Sequence, residues 1–304
     1  MIMHPGIKLR HIRCFLDIAA EDTLSSAARA QGVSQPALSR SLAELEDLLG
    51  LALFHRRGRR LVLTEAGTSF RRHAGIALQA LQAGVDALHP GSGSGRLRIG
   101  ILPTVATRFF PAVALRLMVL RPGLVLAVET GPHFHLLRQL RDGEIDLMFG
   151  RMPIAADMAD LRFDHLYEDA VVLVARAGHP LAHLPVPDIL RQVPLILPPS
   201  TAIIRHVVDD YLASLGLTGL RPSMETVAFA LGRGVLLGSD AVWFISRGVV
   251  VDDLERGDLI SLQTHVAFLS GAVGITQRQF ADEGPDHNLT IEIARNCACD
   301  GTFH

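Results

Sequence analysis

The sequence predicts a multidomain chain: a small helical domain bearing one β-hairpin, then a long helix, then a larger α/β domain of two lobes. Three observations carry this. Apolar stripes at helical spacing, punctuated by Gly32, Gly50 and Gly58, fill the first 64 residues. A heptad-spaced series, Ala74, Leu78, Leu81, Val85 and Leu88, follows and ends in a Gly/Ser run at 89–95. From Arg96 onward strand-like runs alternate with helical patterns, which is the signature of a mostly parallel sheet. With 304 residues, 49% of them hydrophobic and 20% charged, the chain can bury more than one core, so a disordered chain is excluded.

The first helix spans 8–21, with Leu9, Ile12, Phe15, Leu16 and Ala19 on one face. Thr23 can cap a short second helix from Leu24 to Gln31, in which Ala27 and Ala28 are small enough to admit a close neighbour. Gly32 ends it, being free to take positive φ. Ser34 is a good N-cap for a third helix, and Pro36 sits in the first turn, where a missing amide hydrogen costs little. Leu38, Leu42, Leu45 and Leu49 form its inner stripe. Its outer face holds Pro36, Arg40 and Ala43, flanked by Ala37 and Ser39, with no acid before Glu44. Such a face can approach a DNA major groove closely, with Gln35, Ser39 and Arg40 as donors. Helix, tight turn and helix make a helix-turn-helix.

Leu53–His55 and Leu61–Leu63 flank Arg56, Arg57, Gly58, Arg59 and Arg60, which reads as a β-hairpin with a basic turn. Four arginines in five residues repel one another unless an anion is near; a phosphate backbone supplies one, and a solvated charged loop is the alternative. The hairpin makes residues 1–64 a winged helix-turn-helix domain. Thr64, which can cap the next helix, is placed with these residues at the DNA face. Residues 65–95 are a linker helix and hinge. A heptad seam with no globular core around it implies a partner chain, hence a homodimer through Ala74, Leu78, Leu81, Val85 and Leu88. Charge is divided to match: residues 1–91 carry 11 Lys/Arg against 8 Asp/Glu, the remainder 18 against 23. Lys8 is the only lysine, and arginine pairs bidentately with phosphate and guanine.

Residues 96–304 read as the ligand-binding domain. Strands are expected at Arg96–Ile101, Leu124–Thr130, Ile145–Gly150, Val171–Arg176, Leu195–Leu197, Ala241–Ser246 and Leu269–Thr276. Helices are expected at Thr104–Leu120, Phe134–Arg141, Ala202–Leu215, Val227–Arg233, Arg247–Glu255 and Leu289–Ala298. With a crossing segment at Arg151–Arg162, the first lobe takes about 96–163 and 268–304, and the second about 164–267. Ligands of open α/β sheets bind beyond the carboxyl ends of the strands. That rule selects Pro103 and Thr104 after the first strand, and Ser200 and Thr201 after Leu195–Leu197; both loops put hydroxyls at helix N-termini, where anions are favoured. Thr130, Gly131 and Thr226 end further strands, Arg205 and His133 are candidate counter-ions, and Trp243 a candidate wall. Each hydroxyl taken singly is also a plain helix cap.

Cys14, Cys297 and Cys299 do not make a disulfide framework, and no further ligand cluster accompanies the last two, so no metal or cofactor is expected. The N-terminus lacks a basic segment followed by an apolar run, and no apolar stretch approaches membrane-spanning length. A cytoplasmic, nucleoid-associated protein without membrane contact is expected. Nucleophile-elbow, zinc-protease, phosphate-loop and dinucleotide motifs are missing, so an enzyme is not expected.

Ala27-Ala28, Ser34-Gln35-Pro36-Ala37-Leu38-Ser39, Leu45-Glu46, Leu49-Gly50, Leu53-Phe54, Arg56 and Leu63-Thr64-Glu65-Ala66-Gly67 resemble the LysR-type transcriptional regulators, and the resemblance covers essentially the whole chain. It implies a two-lobed effector domain like periplasmic solute-binding proteins and a homotetramer, a dimer of dimers, that controls transcription when a metabolite enters the cleft. Ile7–His11, Arg72–Gly75, Leu102–Val105 and Asp240–Val249 resemble the PcaQ-like regulators of protocatechuate catabolism, whose effector is a carboxylated muconate. That implies an organic or aromatic-pathway acid acting through tetramer shape and DNA bending, with RNA polymerase as a partner. A sugar-uptake regulator with a neutral effector is the alternative. A transport solute-binding protein would need a leader and would leave residues 1–90 unexplained.

Overall fold

The computed structural model describes residues 4–21, 23–30, 32–58, 60–87, 95–264, 269–279 and 284–300. The chain forms two compact units, the first of residues 1–92 with 141–144 and the second of residues 93–140 with 145–304.

In the first, α1 (Leu9–Ala20), α2 (Leu24–Ala30) and α3 (Gln35–Leu49) pack around Phe15, Ile18, Ala27, Ala28, Leu38, Leu42 and Leu45. The Phe15 ring lies 5.4 Å from that of Phe54 and 5.0 Å from that of Phe70, which draws the hairpin and the long helix onto the same core. Ser34 caps α3 by accepting the Ala37 amide at 3.4 Å, and Gly50 ends it at φ 67°. The Cys14 thiol is a small core group lying against the Leu38 carbonyl at 3.5 Å. Strands β1 (Phe54–Arg57) and β2 (Arg60–Leu63) pair antiparallel, Phe54 opposite Leu63. Glu46 Oε1 accepts the Leu53 and Phe54 amides at 2.6 and 3.2 Å, fixing the hairpin to α3. The helix α4 (Glu65–Ala87) follows; a Cβ on Gly67 would stand 2.0 Å from the Leu53 carbonyl oxygen, so only glycine fits there.

The second unit holds β3 (Arg96–Ile101), α5 (Pro103–Ala106), α6 (Phe109–Leu120), β4 (Val125–Thr130), α7 (His133–Asp142), β5 (Leu147–Arg151) and β6 (Leu161–Arg176). There follow α8 (Val186–Leu190), β7 (Leu195–Leu197), α9 (Ile204–Ser214), β8 (Met224–Glu225), α10 (Phe229–Leu237), β9 (Val242–Ser246), α11 (Arg247–Arg256), β10 (Leu259–Leu262), β11 (Ser270–Arg278) and α12 (Pro285–Cys299). The strand order is β4-β3-β5-β11-β6-β9-β7-β8, with β10 also on β6. Strands β3, β4 and β5 are parallel, and β11 runs antiparallel between β5 and β6. Each lobe has its own core, one around Ile99, Leu117, Phe149 and Ile275, the other around Leu173, Val208, Trp243 and Phe244.

The lobe change differs from the expectation of a crossing at 151–162. Leu161–Ala170 pairs with β11 in the first lobe, and Val171–Val174 pairs with β9 in the second. The boundary therefore falls at Ala170/Val171, inside one unbroken strand, rather than at residue 164. The helix expected over Thr104–Leu120 is also two helices. Thr107 donates its hydroxyl to the Val249 carbonyl at 3.1 Å, and Arg108 leaves helical geometry to reach Asp252 and Glu255 of α11. Cys297 is buried in the first-lobe core on α12, and Cys299 is exposed. Among the described residues, no helix is long and apolar enough to cross a membrane.

Candidate nucleic-acid interface and ligand cavity

On α3 the side chains of Ser34, Gln35, Pro36, Ala37 and Arg40 are exposed and Ser39 is half-buried; Pro36 and Arg40 lie on the face opposite the buried Leu38, Leu42 and Leu45. Ser25 donates to Gln35 Oε1 at 3.0 Å, which orients the Gln35 amide group and leaves its NH2 as the donor end. Arg56, Arg57 and Arg60 are exposed on the hairpin, whereas Arg59 lies outside the described residues. Thr64 does not join them. It is buried, donating its hydroxyl to the Ala52 carbonyl at 2.8 Å and accepting the Gly67 amide at 2.8 Å. Its role is to join the hairpin to the cap of α4, and a hydroxyl so engaged does not reach DNA.

Along α4, Leu81 and Val85 are exposed and Leu78 is half-buried. Ala74 departs from the expected seam because it is already buried within the chain, and Leu88 lies outside the described residues.

In the second unit the carboxyl ends of β3, β4, β5, β7 and β9 converge on a cavity of about 350 Å³. Pro103, Thr104, Thr130, Gly131, His133 and Thr201 line it, as the strand-end rule expects. Leu102, Pro132, Ile203, Ile204, Val227, Ile245 and Val249 make most of the remaining wall apolar. Four expected residues are elsewhere. Ser200 is exposed and turned outward from the same loop. Arg205 is committed to Asp209 Oδ1 at 2.8 Å, Glu225 Oε1 at 2.7 Å and the Pro198 carbonyl at 2.8 Å. Thr226 is a buried cap, its hydroxyl accepting the Ala228 amide at 2.9 Å. Trp243 is fully buried in the second-lobe core, donating Nε1–H to the Thr226 carbonyl at 3.1 Å, with its ring against Gly232, where a Cβ would stand 2.5 Å away.

The cavity instead holds two residues the sequence reading passed over, Arg151 at the end of β5 and Ser246 at the end of β9. Both are strand-end residues, so the rule that found Thr104 would have found them. Arg151 is 5% exposed; its Nη2 donates to Asp169 Oδ2 at 2.9 Å and to the Asp169 carbonyl at 2.8 Å, and its Nε to Ser246 Oγ at 3.3 Å. Thr104 donates to the same Ser246 oxygen at 3.2 Å, and the Ser246 hydroxyl in turn bonds the Asp169 carboxylate. Asp169 also accepts the Gly248 amide at 2.9 Å. Burial pulls the Arg151 guanidinium below its ordinary value and pushes the Asp169 carboxyl above its own, while each group's charge works against the other's shift. The network joins first-lobe Thr104 and Arg151 to second-lobe Ser246 and Gly248 through Asp169 on the shared strand.

The chain matches two families in tandem: bacterial regulatory helix-turn-helix protein, lysR family, at residues 9–68, and LysR substrate binding domain at residues 90–296. It is 38% identical over 289 residues to the HTH-type transcriptional regulator PcaQ of Agrobacterium fabrum, covering 94% of this chain and 92% of the relative. Among solved structures, a full-length OxyR variant from Pseudomonas aeruginosa shares the fold at TM-score 0.67 and 21% identity, over 95% of this chain and 98% of that one. Full-length LysG from Corynebacterium glutamicum, bound to arginine as effector, does so at TM-score 0.66 and 17% identity, over 97% and 99%.

Proposed function

Because the chain belongs to the LysR family of transcriptional regulators, we propose that it reads promoter DNA with α3 and the β1–β2 hairpin and answers to a small organic acid held in the second-unit cavity. The observation that carries the effector reading is the cavity's composition: four hydroxyls and one buried guanidinium at converging strand ends, within walls otherwise mostly apolar. Similarity to PcaQ supports an acid from aromatic catabolism as the effector. Ser34, Gln35, Pro36, Ala37, Ser39 and Arg40 face the bases, while Arg56, Arg57 and Arg60 hold phosphates. The exposed Leu81 and Val85 support pairing of α4 with a second copy, and the exposed Leu115, Met118 and Val119 of α6 support a further self-contact, as a dimer of dimers requires. Effector binding shifts the balance between two tetramer shapes, altering DNA bending and the contact with RNA polymerase in the cytoplasm. The chain acts as a regulator, not as an enzyme.

Thr104→Val tests this. The hydroxyl lines the cavity and sits far along the chain from the helix-turn-helix. The variant is expected to lose the effector-dependent change in promoter binding while keeping wild-type affinity for DNA in effector-free gel shifts. A retained effector response refutes the cavity assignment.

A further inference from the structure

We propose that the cavity selects an effector with a compact apolar body and at most one negative charge, and that Asp169 sets this limit by balancing the charge of Arg151. The inference rests on the cavity being the effector site. Among the described residues Arg151 is the only arginine or lysine in the lining, and its guanidinium is already matched by the Asp169 carboxylate 2.9 Å away, both buried. The pair presents no net charge to the cavity. One ligand carboxylate can share the guanidinium and take hydrogen bonds from the Thr130 or Thr201 hydroxyls. A second or third would lie against Leu102, Ile203, Val227 or Ile245, desolvated and without a cation. Arg205, the cation expected to receive it, is held by Asp209 and Glu225 and does not line the cavity. His133 is the one other titratable side chain in the lining among the described residues. Cavity size agrees: about 350 Å³ suits a single ring with small substituents. A multiply charged acid of the carboxylated muconate kind is therefore a poor fit.

The test is calorimetric titration of the full chain at pH 8 with benzoate, isophthalate and trimesate, one ring carrying one, two or three carboxylates. Benzoate is expected to bind tightest, with affinity falling at least tenfold for each added carboxylate. Asp169→Asn, whose side-chain oxygen can still accept the Gly248 amide, is expected to compress or reverse that order. An affinity that rises with carboxylate number in the unsubstituted protein overturns the proposal, as does an unchanged order in a folded Asp169→Asn variant. The unsubstituted series decides alone if the variant does not fold. Ile203→Trp, which fills the cavity, separates the two ideas: if benzoate binds it as well as before, the cavity is not the effector site and the broader reading falls too. Failure of all three acids to bind overturns the proposal.

Discussion

A Cβ on Gly248 would stand 2.4 Å from the carbonyl oxygen of Thr104. The N-terminus of α11 in one lobe thus docks on α5 of the other through a position that tolerates no side chain. Gly248→Ala must push the lobes apart or strain the Thr104 backbone, at a cost of about 1–3 kcal/mol. Gly234→Ala is the control, because a Cβ there meets nothing within 4 Å and a helix interior favours alanine. Urea melts should show a lowered midpoint for the first variant and an unchanged or raised one for the second.

Arg108 ties the same two lobes from outside, its Nη1 donating to Glu255 Oε1 at 2.7 Å and its Nη2 to Glu255 Oε2 at 2.6 Å. That hydrogen bonding holds the Glu255 carboxyl below its ordinary value. A carboxylate whose folded value is depressed stabilises the fold above its unfolded value and loses that contribution as pH falls through the folded one. Glu255→Gln should therefore lower the thermal midpoint at pH 7, and the gap to the unsubstituted protein should close as the pH drops below the carboxylate range. A gap independent of pH would show that charge is irrelevant to the clasp.

The proposed DNA contacts divide by what they read. Arg40→Ala is expected to cost roughly 1–3 kcal/mol on the preferred promoter and to relax preference at particular base pairs. Arg56→Ala and Arg57→Ala should instead weaken binding on all sequences, each reducing the salt slope by roughly 1. Fluorescence anisotropy across a salt series distinguishes the two. Equal loss on every sequence would make Arg40 a phosphate ligand.

Leu81→Asp combined with Val85→Asp places charges on the exposed face of α4. Sedimentation velocity should show the assembly falling to a smaller species, with promoter affinity falling as the two half-site contacts uncouple. Unchanged mass would remove α4 from the self-interface.

Local chemistry made the first unit legible. Ser34, Pro36 and Gly50 mark the ends of α3 by mechanisms that act within a turn, and the helix runs Gln35–Leu49 as they require. The cavity was half legible for the same reason: Thr104 and Thr201 stand at strand ends beside helix starts. Arg151 and Ser246 close their strands as Thr130 does, but only the convergence of β5 and β9 with β3 brings them to one cavity, and no local pattern states that convergence. Arg205 misled because its partners are nonlocal in part: Asp209 is one turn on, but Glu225 arrives on another strand. Trp243 misled because nothing in an apolar run says which face Gly232 will leave open for a ring. Nothing in the local pattern marks where β6 passes from one lobe to the other, since Glu168-Asp169 lies within the strand.

The placement of β11 has a consequence for synthesis. It is the strand between β5 and β6, yet it is made after the whole second lobe. As the chain leaves the ribosome, β5 and the first half of β6 have no partner on the edges that will face each other. The second lobe, contiguous from Val171 to Leu262 in its strands, can close first. The first lobe must wait for residues 270–278, and the Arg151–Asp169 pair is not walled in until they arrive. The Arg151–Asp169 network is thus among the last parts of the molecule to be born.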